Sequence, residues 1–207
     1  MTTWSVDQSK ILTKTEIAAV LTDLKRLGKR SVNARMNLAL FRLTTCCGLR
    51  ATEAATLRVG DVRCTVARPY LNLRKAATKG HRARRVPLWW DAGTLQDLEA
   101  WRDERIAQGA STTDPFLCTL SKGSEGNQLD RRHIRSRFRR ACKVLGPERL
   151  ESLTAHDGRH SFVSHALAGG RTLAEVRDAA GHASIATTSV YTHVAVDDDG
   201  VIGELFA

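Results

Sequence analysis

At 207 residues, 42% apolar and 26% charged, the chain can bury a core as one domain without disulfide staples. Its 32 Lys and Arg against 22 Asp and Glu give a net charge of +10, the footprint of a protein that meets a polyanion. No apolar run approaches a membrane span, "MTTWSVDQSK" lacks a signal-peptide core, and the five cysteines show no CxxC pair or zinc-ribbon spacing, so no membrane partner, secretory leader or disulfide framework is expected.

The first predicted helix opens on a capping box, Thr13 with Glu16, and a hydrophobic staple, Leu12 with Ile17. Ile17, Val20, Leu21 and Leu24 then recur at helical spacing. A second helix is expected over residues 31–47, stopped by Gly48, and a short third over 51–57. "ARPYLNLRK" and "RARRVPL" predict two antiparallel strands joined by "AATKGH". Leu71 and Leu73 share one face; Tyr70, Asn72 and Arg74 share the other. Tyr70 is therefore a packing or sheet-surface residue. The wet face of this hairpin is basic and offers Arg74, Lys75, His81 and Arg82 to a phosphate backbone.

A helix over residues 91–108 follows, closed by Gly109. Beyond the loop "SKGSEGNQ", the run "DRRHIRSRFRRACKVLG" puts Ile134, Phe138, Cys142 and Leu145 on one face. Arg131, Arg132, Arg135, Arg137, Arg139, Arg140 and Lys143 surround that face. A solvated helix normally mixes signs. This one favours phosphate contact, with Arg131, Arg132, Arg135 and Arg139 as its DNA-facing set. Helices over 155–168 and 173–180 come next, the second with its own capping box, Thr172 with Glu175. A last short helix over 184–192 carries Tyr191, and the tail from 194 to 207 is acidic, then apolar. The expected fold is mainly α with a small antiparallel β-hairpin or sheet. A single domain spans residues 1–207, with residues 1–11 as an N-terminal extension.

Several polar residues look out of place in these elements. Arg50 follows the apolar "TTCCGL", and Lys79 sits at the hairpin tip. His156 and Arg159 are three apart and share a helix face. His182 follows a glycine at a helix end. Tyr191 lies nine residues further on, among Ser, Thr and His rather than apolar neighbours, which argues for an exposed side chain. Guanidinium forks match phosphate oxygens two at a time. With a histidine they can hold a phosphodiester as charge builds. A tyrosine is a competent nucleophile once its proton is shared, and cations favour its phenolate. A lysine can protonate a leaving sugar hydroxyl.

The order and spacing of "CGLRATEAATL", "TKGHRARRVPL", "HDGRHSF" and "GHASIATTSVY" resemble the tyrosine recombinase, or phage integrase, family. The resemblance runs from about Leu12 to about Val194 and implies a DNA breaking-rejoining catalytic domain. It implies Arg50 and Arg159 as the catalytic arginines, Glu53 as their supporting acid and Lys79 as the acid for the leaving 5′-hydroxyl. It also implies His156 as proton acceptor, His182 as a phosphate ligand and Tyr191 as the nucleophile of a 3′-phosphotyrosine intermediate. The implied partner is double-stranded DNA, bound by a tetramer that is a monomer without DNA. The implied location is the cytoplasm, on the nucleoid. An ester is exchanged for an ester, so no cofactor and no metal is expected.

The chain departs from the family in two residues. Gly158 and Ala180 stand where leucines are usual. Glycine within a helix costs about 1 kcal/mol against alanine, and a lost packing contact is expected. The N-terminal core-binding domain of most members is expected to be absent, as in the single-domain fimbrial recombinases. "HDGRH" also fits a zinc pair, but Asp157 replaces the zincin glutamate and no third ligand has obvious spacing. His160, His165 and His193 read as packing or surface histidines. The rival functions are a non-catalytic DNA-binding remnant or regulator and, on the same chemistry, a type IB topoisomerase.

Overall fold

The protein is described as a computed structural model, in which residues 7–75 and 83–192 are described. Helix α1 (Lys14–Gly28) starts at the predicted capping box. The Thr13 hydroxyl accepts from the Glu16 amide at 3.1 Å, and the Glu16 carboxylate accepts from the Thr13 amide at 2.8 Å. Ile17, Val20 and Leu24 are buried with Leu12 against Phe41, Phe138 and Cys142.

Helix α2 (Val32–Phe41) does not run on to Cys47 in α form. It widens into a π-turn over Arg42–Cys46, closed by a bond from the Cys47 amide to the Arg42 carbonyl at 3.0 Å. Arg42 is buried there, with its guanidinium on Asp91 at 3.1 Å and on Asp97 at 2.8 Å. Such single π-turns concentrate at functional sites. Gly48 follows at φ +66°, a conformation glycine adopts without a side-chain clash. A Cβ at Gly48 would stand 2.3 Å from the Phe162 ring. The turn thereby delivers the Gly48 carbonyl and Arg50 to the start of α3 (Ala51–Thr56).

The sheet has three antiparallel strands, in the order β1 (Val62–Arg63), β2 (Tyr70–Leu73), β3 (Arg84–Pro87). Leu71 pairs with Val86 and Leu73 with Arg84. Leu71, Leu73 and Val86 face the core as the alternation requires, and the Arg85 guanidinium lies 4.4 Å over the outward Tyr70 ring. Strand β1 is too short to show an alternation, and the sequence gives no sign of it.

Helix α4 (Ala92–Ala107) is capped by Asp91. Helix α5 (Arg131–Ala141) buries Ile134 and Phe138, with Cys142 beyond its end, as its apolar face predicts. A further short helix, α6 (Pro147–Ser152), was not expected; Arg149 ties it to Glu16 at 2.7 Å. All five cysteines are buried and unpaired. No helix among the described residues is long and apolar enough to cross a membrane.

Helix α7 (Ala155–Ala168) is the centre of the fold and is buried around most of its circumference. Its Gly158 corrects the expectation of a lost contact. A Cβ there would lie 2.8 Å from the Thr45 hydroxyl and 3.1 Å from the Phe138 ring. The space a side chain would need is taken by the π-turn and α5, so glycine permits a close crossing. Ala180 is likewise fully buried among Trp90, Phe162 and Val176. Helix α8 (Leu173–Ala180) ends at Gly181 in the left-handed conformation, φ +68°. The last helix, α9 (Ala186–Ser189), is shorter than predicted.

Candidate active site

Four local structures converge on one spot: the N-terminus of α3, strand β3, the first turns of α7, and the segment from Gly181 to Tyr191. Arg50 caps α3. Its own amide donates to Glu53 at 2.8 Å, its guanidinium donates to Glu53 at 3.0 Å, and a second nitrogen reaches the Gly181 carbonyl at 3.1 Å. Glu53 is wholly buried. Arg84 meets both of its oxygens, at 2.7 and 2.8 Å, and donates to the Ala179 carbonyl at 3.0 Å. Burial alone would raise the Glu53 carboxyl, but the Arg84 and Arg50 contacts outweigh it and hold it below the usual range. Gly181 completes this knot, because a Cβ there would stand 2.8 Å from the Arg84 guanidinium.

Arg84 is a site residue that the motif reading passes over. A signal for it exists in the sequence. Arg84 shares strand parity with the buried Val86, and a charge at an inward position requires a partner.

Arg159, on α7, is only 2% exposed. Its Nη1 donates to the Gly48 carbonyl at 2.6 Å, and its Nη2 is buried with no partner among the described residues. Burial, with the Arg50 charge behind it, pushes this guanidinium down to about 9.

Tyr191 corrects the sequence reading most sharply. It is 7% exposed and packs with Trp90, Phe162, Val163 and Val176. Its apolar neighbours come from β3–α4, α7 and α8, so nothing beside it in the sequence shows them. Burial raises its phenol above the ordinary value, and the Arg159 charge opposes this without overcoming it. The cationic surroundings therefore do not yield a standing phenolate. The Tyr191 hydroxyl lies 2.5 Å from Nδ1 of His160. The sequence reads His160 as a packing or surface residue, although it lies one turn beyond His156 on the same helix face. The His156 and His160 rings meet edge to face at 4.4 Å. The His182 ring lies nearly parallel to Tyr191 at 6.4 Å, with its Nδ1 2.8 Å from the Thr188 hydroxyl. Burial first, then the charges of Arg159 and Arg50, push His182 down to about 3. Burial, then Arg159, also lowers His156.

The structure thus brings Arg50, Glu53, His156, Arg159, His182 and Tyr191 together. Lys79, His81, Arg82 and the tail beyond Thr192 lie outside the described residues. Beside the cluster runs a groove of about 1130 Å³, lined by Arg50, Arg131, Arg135, Arg139, Thr154 and His156. Three of the four α5 arginines named from the sequence line it; Arg132 is exposed outside it. Arg74 is committed to Asp61 at 3.0 Å and to the Thr56 carbonyl at 2.8 Å. Lys75 is exposed at the end of β2. His165 is buried, with Nε2 2.7 Å from the Leu12 carbonyl, a packing role as expected. No group of three metal-binding side chains occurs among the described residues.

A fold of this kind with two arginines, histidines and a tyrosine around one pocket defines a class, and the comparisons agree with it. Residues 10–197 match the Phage integrase family, and the chain belongs to that family. Tyrosine recombinase XerC of Herpetosiphon aurantiacus is 33% identical over 77% of this chain and 48% of its own length. That of Rhizobium meliloti is 32% identical over 89% of this chain and 54% of its own. The chain spans about half the length of the curated relatives it matches. Among solved structures, XerH site-specific recombinase bound to difH substrate, a pre-cleavage complex, superposes with a TM-score of 0.70. It is 24% identical, over 94% of this chain and 53% of that one. The fold is that of the recombinases: mainly helical with a small antiparallel sheet.

Proposed function

We propose that this chain is a catalytic domain that cleaves and rejoins DNA at specific sites through a covalent link to Tyr191. The observation that supports it best is Arg159. A guanidinium this deeply buried, with one nitrogen unpaired, is costly unless a ligand completes it. It feels the charges of Arg50 and Tyr191, and His182 in turn feels both arginines; a phosphodiester is the anion that this set of donors fits.

In the proposed reaction Arg50 and Arg159 take the non-bridging oxygens. With the Thr188 hydroxyl donating to Nδ1 of His182 across their 2.8 Å contact, the ring carries its proton on Nε2, free to reach the same phosphate. The tyrosine oxygen attacks phosphorus, a 3′-phosphotyrosine forms, and the bond to the 5′-oxygen breaks. Lys79 supplies the proton that the 5′-oxygen takes. A 5′-hydroxyl from a partner duplex then reverses the step. Two duplexes present four strands, so complete exchange calls for four copies on DNA. The groove lined by Arg131, Arg135 and Arg139 would carry the duplex backbone, with a strong salt dependence.

The test is covalent trapping on a pool of nicked duplexes of randomised sequence at low salt. A denaturing gel should show a shifted band with the unaltered chain and none with Tyr191→Phe. A chain that binds the pool and never forms the band is a DNA-binding module without catalysis.

A further inference from the structure

We propose that His160, rather than His156, accepts the phenol proton of Tyr191 when the nucleophile attacks, an assignment that rests on the recombinase reading above. Three features of the geometry point to it. The Nδ1 of His160 is the ring nitrogen within hydrogen-bond distance of the tyrosine oxygen, at 2.5 Å. The Nδ1 of His182 is already engaged by Thr188 at 2.8 Å. His156 meets the His160 ring edge to face at 4.4 Å, and it is the His160 ring that lies 5.7 Å from the Tyr191 ring.

His160 is also in the right protonation state. Burial first, then His156 and Arg159, hold its ring down to about 4; Asp157 opposes this and Lys10 adds to it. Tyr191 and His182 face it from the C-terminal segment. At neutral pH the ring is therefore uncharged, and with its proton on Nε2 it presents a lone pair to the phenol. The same cations make it a weak base in the empty pocket. An incoming phosphodiester brings a negative charge against Arg159 and Arg50 and relieves that repulsion. The acceptor is thus strengthened by the substrate it serves.

The proton balance closes within the site. The Tyr191 proton moves to Nδ1 of His160 as the oxygen–phosphorus bond forms and the bond to the 5′-oxygen breaks. The 5′-oxygen takes a separate proton from the acid on its own side. In rejoining, His160 returns its proton to the departing tyrosine oxygen.

The experiment uses duplexes recovered by trapping and resynthesised with a 5′-bridging sulfur at the scissile phosphate. A thiolate leaves without protonation, so defects on the leaving side are rescued and defects on the nucleophile side are not. The full chain is compared with His160→Asn, His160→Ala and His156→Ala, each checked by thermal melting. Asn places an oxygen near the position of Nδ1, so it can hold the phenol by a hydrogen bond but cannot take its proton. Both His160 variants should cleave about 10² to 10⁴-fold more slowly, even on the sulfur substrate. Their rate should rise tenfold per pH unit toward the tyrosine pKa, while the unaltered chain stays flat above the range where His160 titrates. Cleavage by His160→Asn within a few-fold of the unaltered chain, or loss confined to His156→Ala, overturns the proposal and leaves the recombinase reading intact. If the unaltered chain forms no adduct at all, both fall together.

Discussion

The two arginines at the heart of this molecule are held in opposite ways. Arg50 belongs to a saturated knot: Glu53 is shared with Arg84, the Gly181 carbonyl takes a nitrogen of Arg50, and every partner is within 3.1 Å. Arg159 is buried more deeply and satisfied less, with Nη2 lacking a partner among the described residues. The difference teaches how a rigid site can stay hungry for a ligand. The knot fixes where α3, β3 and α8 sit relative to each other. The unsatisfied guanidinium is then presented by a frame that cannot collapse onto it.

The largest effect should come from breaking the knot. In Arg84→Ala the wholly buried Glu53 keeps only Arg50, and removing one partner of a buried pair costs about 3–5 kcal/mol. For a chain of this size that is a fall in Tm of about 6 to 20 °C. Replacing both partners, Arg84→Met with Glu53→Met, should recover part of it, because no wholly buried charge is then stranded; Arg50 loses its carboxylate but keeps the Gly181 carbonyl and is about a quarter exposed. Equal melting of the single variant and the unaltered chain contradicts a structural role for this knot.

A second, smaller effect sharpens the other half of the comparison. Gly158→Leu supplies the residue usual in the family, yet its Cβ would sit 2.8 Å from Thr45. Overpacking of this kind costs about 1–3 kcal/mol. It should also displace Arg159, the next residue on α7. Calorimetry checks the first part and the rate of adduct formation the second; a gain in stability would mean that α7 does not cross the π-turn this closely.

The pH dependence separates the two regions with a milder change. His160, His182 and Glu53 all have folded pKa values below their unfolded ones. Each therefore contributes stability that is complete above its unfolded pKa and is lost as pH falls through the folded one. The histidines should lower Tm as pH falls from about 6.5 to about 3, and Glu53 should add to the loss below about 4.5. In Arg84→Ala the Glu53 part should vanish and the histidine part remain, as melting curves across that range will show.

Much of this was legible in the sequence because the local signals were strong. The Thr13–Glu16 and Thr172–Glu175 boxes mark two helix starts, and the alternation through Leu71 and Leu73 gives the sheet its inward face. The π-turn was not legible, since "RLTTC" continues a helical pattern and the burial of Arg42 depends on Asp91 and Asp97 far along the chain. Six of the seven residues named from the motifs, Arg50, Glu53, His156, Arg159, His182 and Tyr191, share one region of the fold, and Lys79 lies outside the described residues. What the motif could not convey was the burial of Tyr191, whose apolar neighbours are remote. Nor could it convey Arg84, whose partner Glu53 lies on another element. His160 was visible as the residue one turn beyond His156, but only the fold shows that the tyrosine hydroxyl comes to it.

In the proposed reaction Tyr191 itself becomes bonded to DNA. Protease digestion of the trapped adduct, followed by mass spectrometry of the nucleotide-bearing peptide, tests it most directly, because the chain has only two tyrosines. The 3′-phosphate is expected on Tyr191 in every adduct peptide. Attachment at Tyr70, or at any residue other than Tyr191, would contradict it.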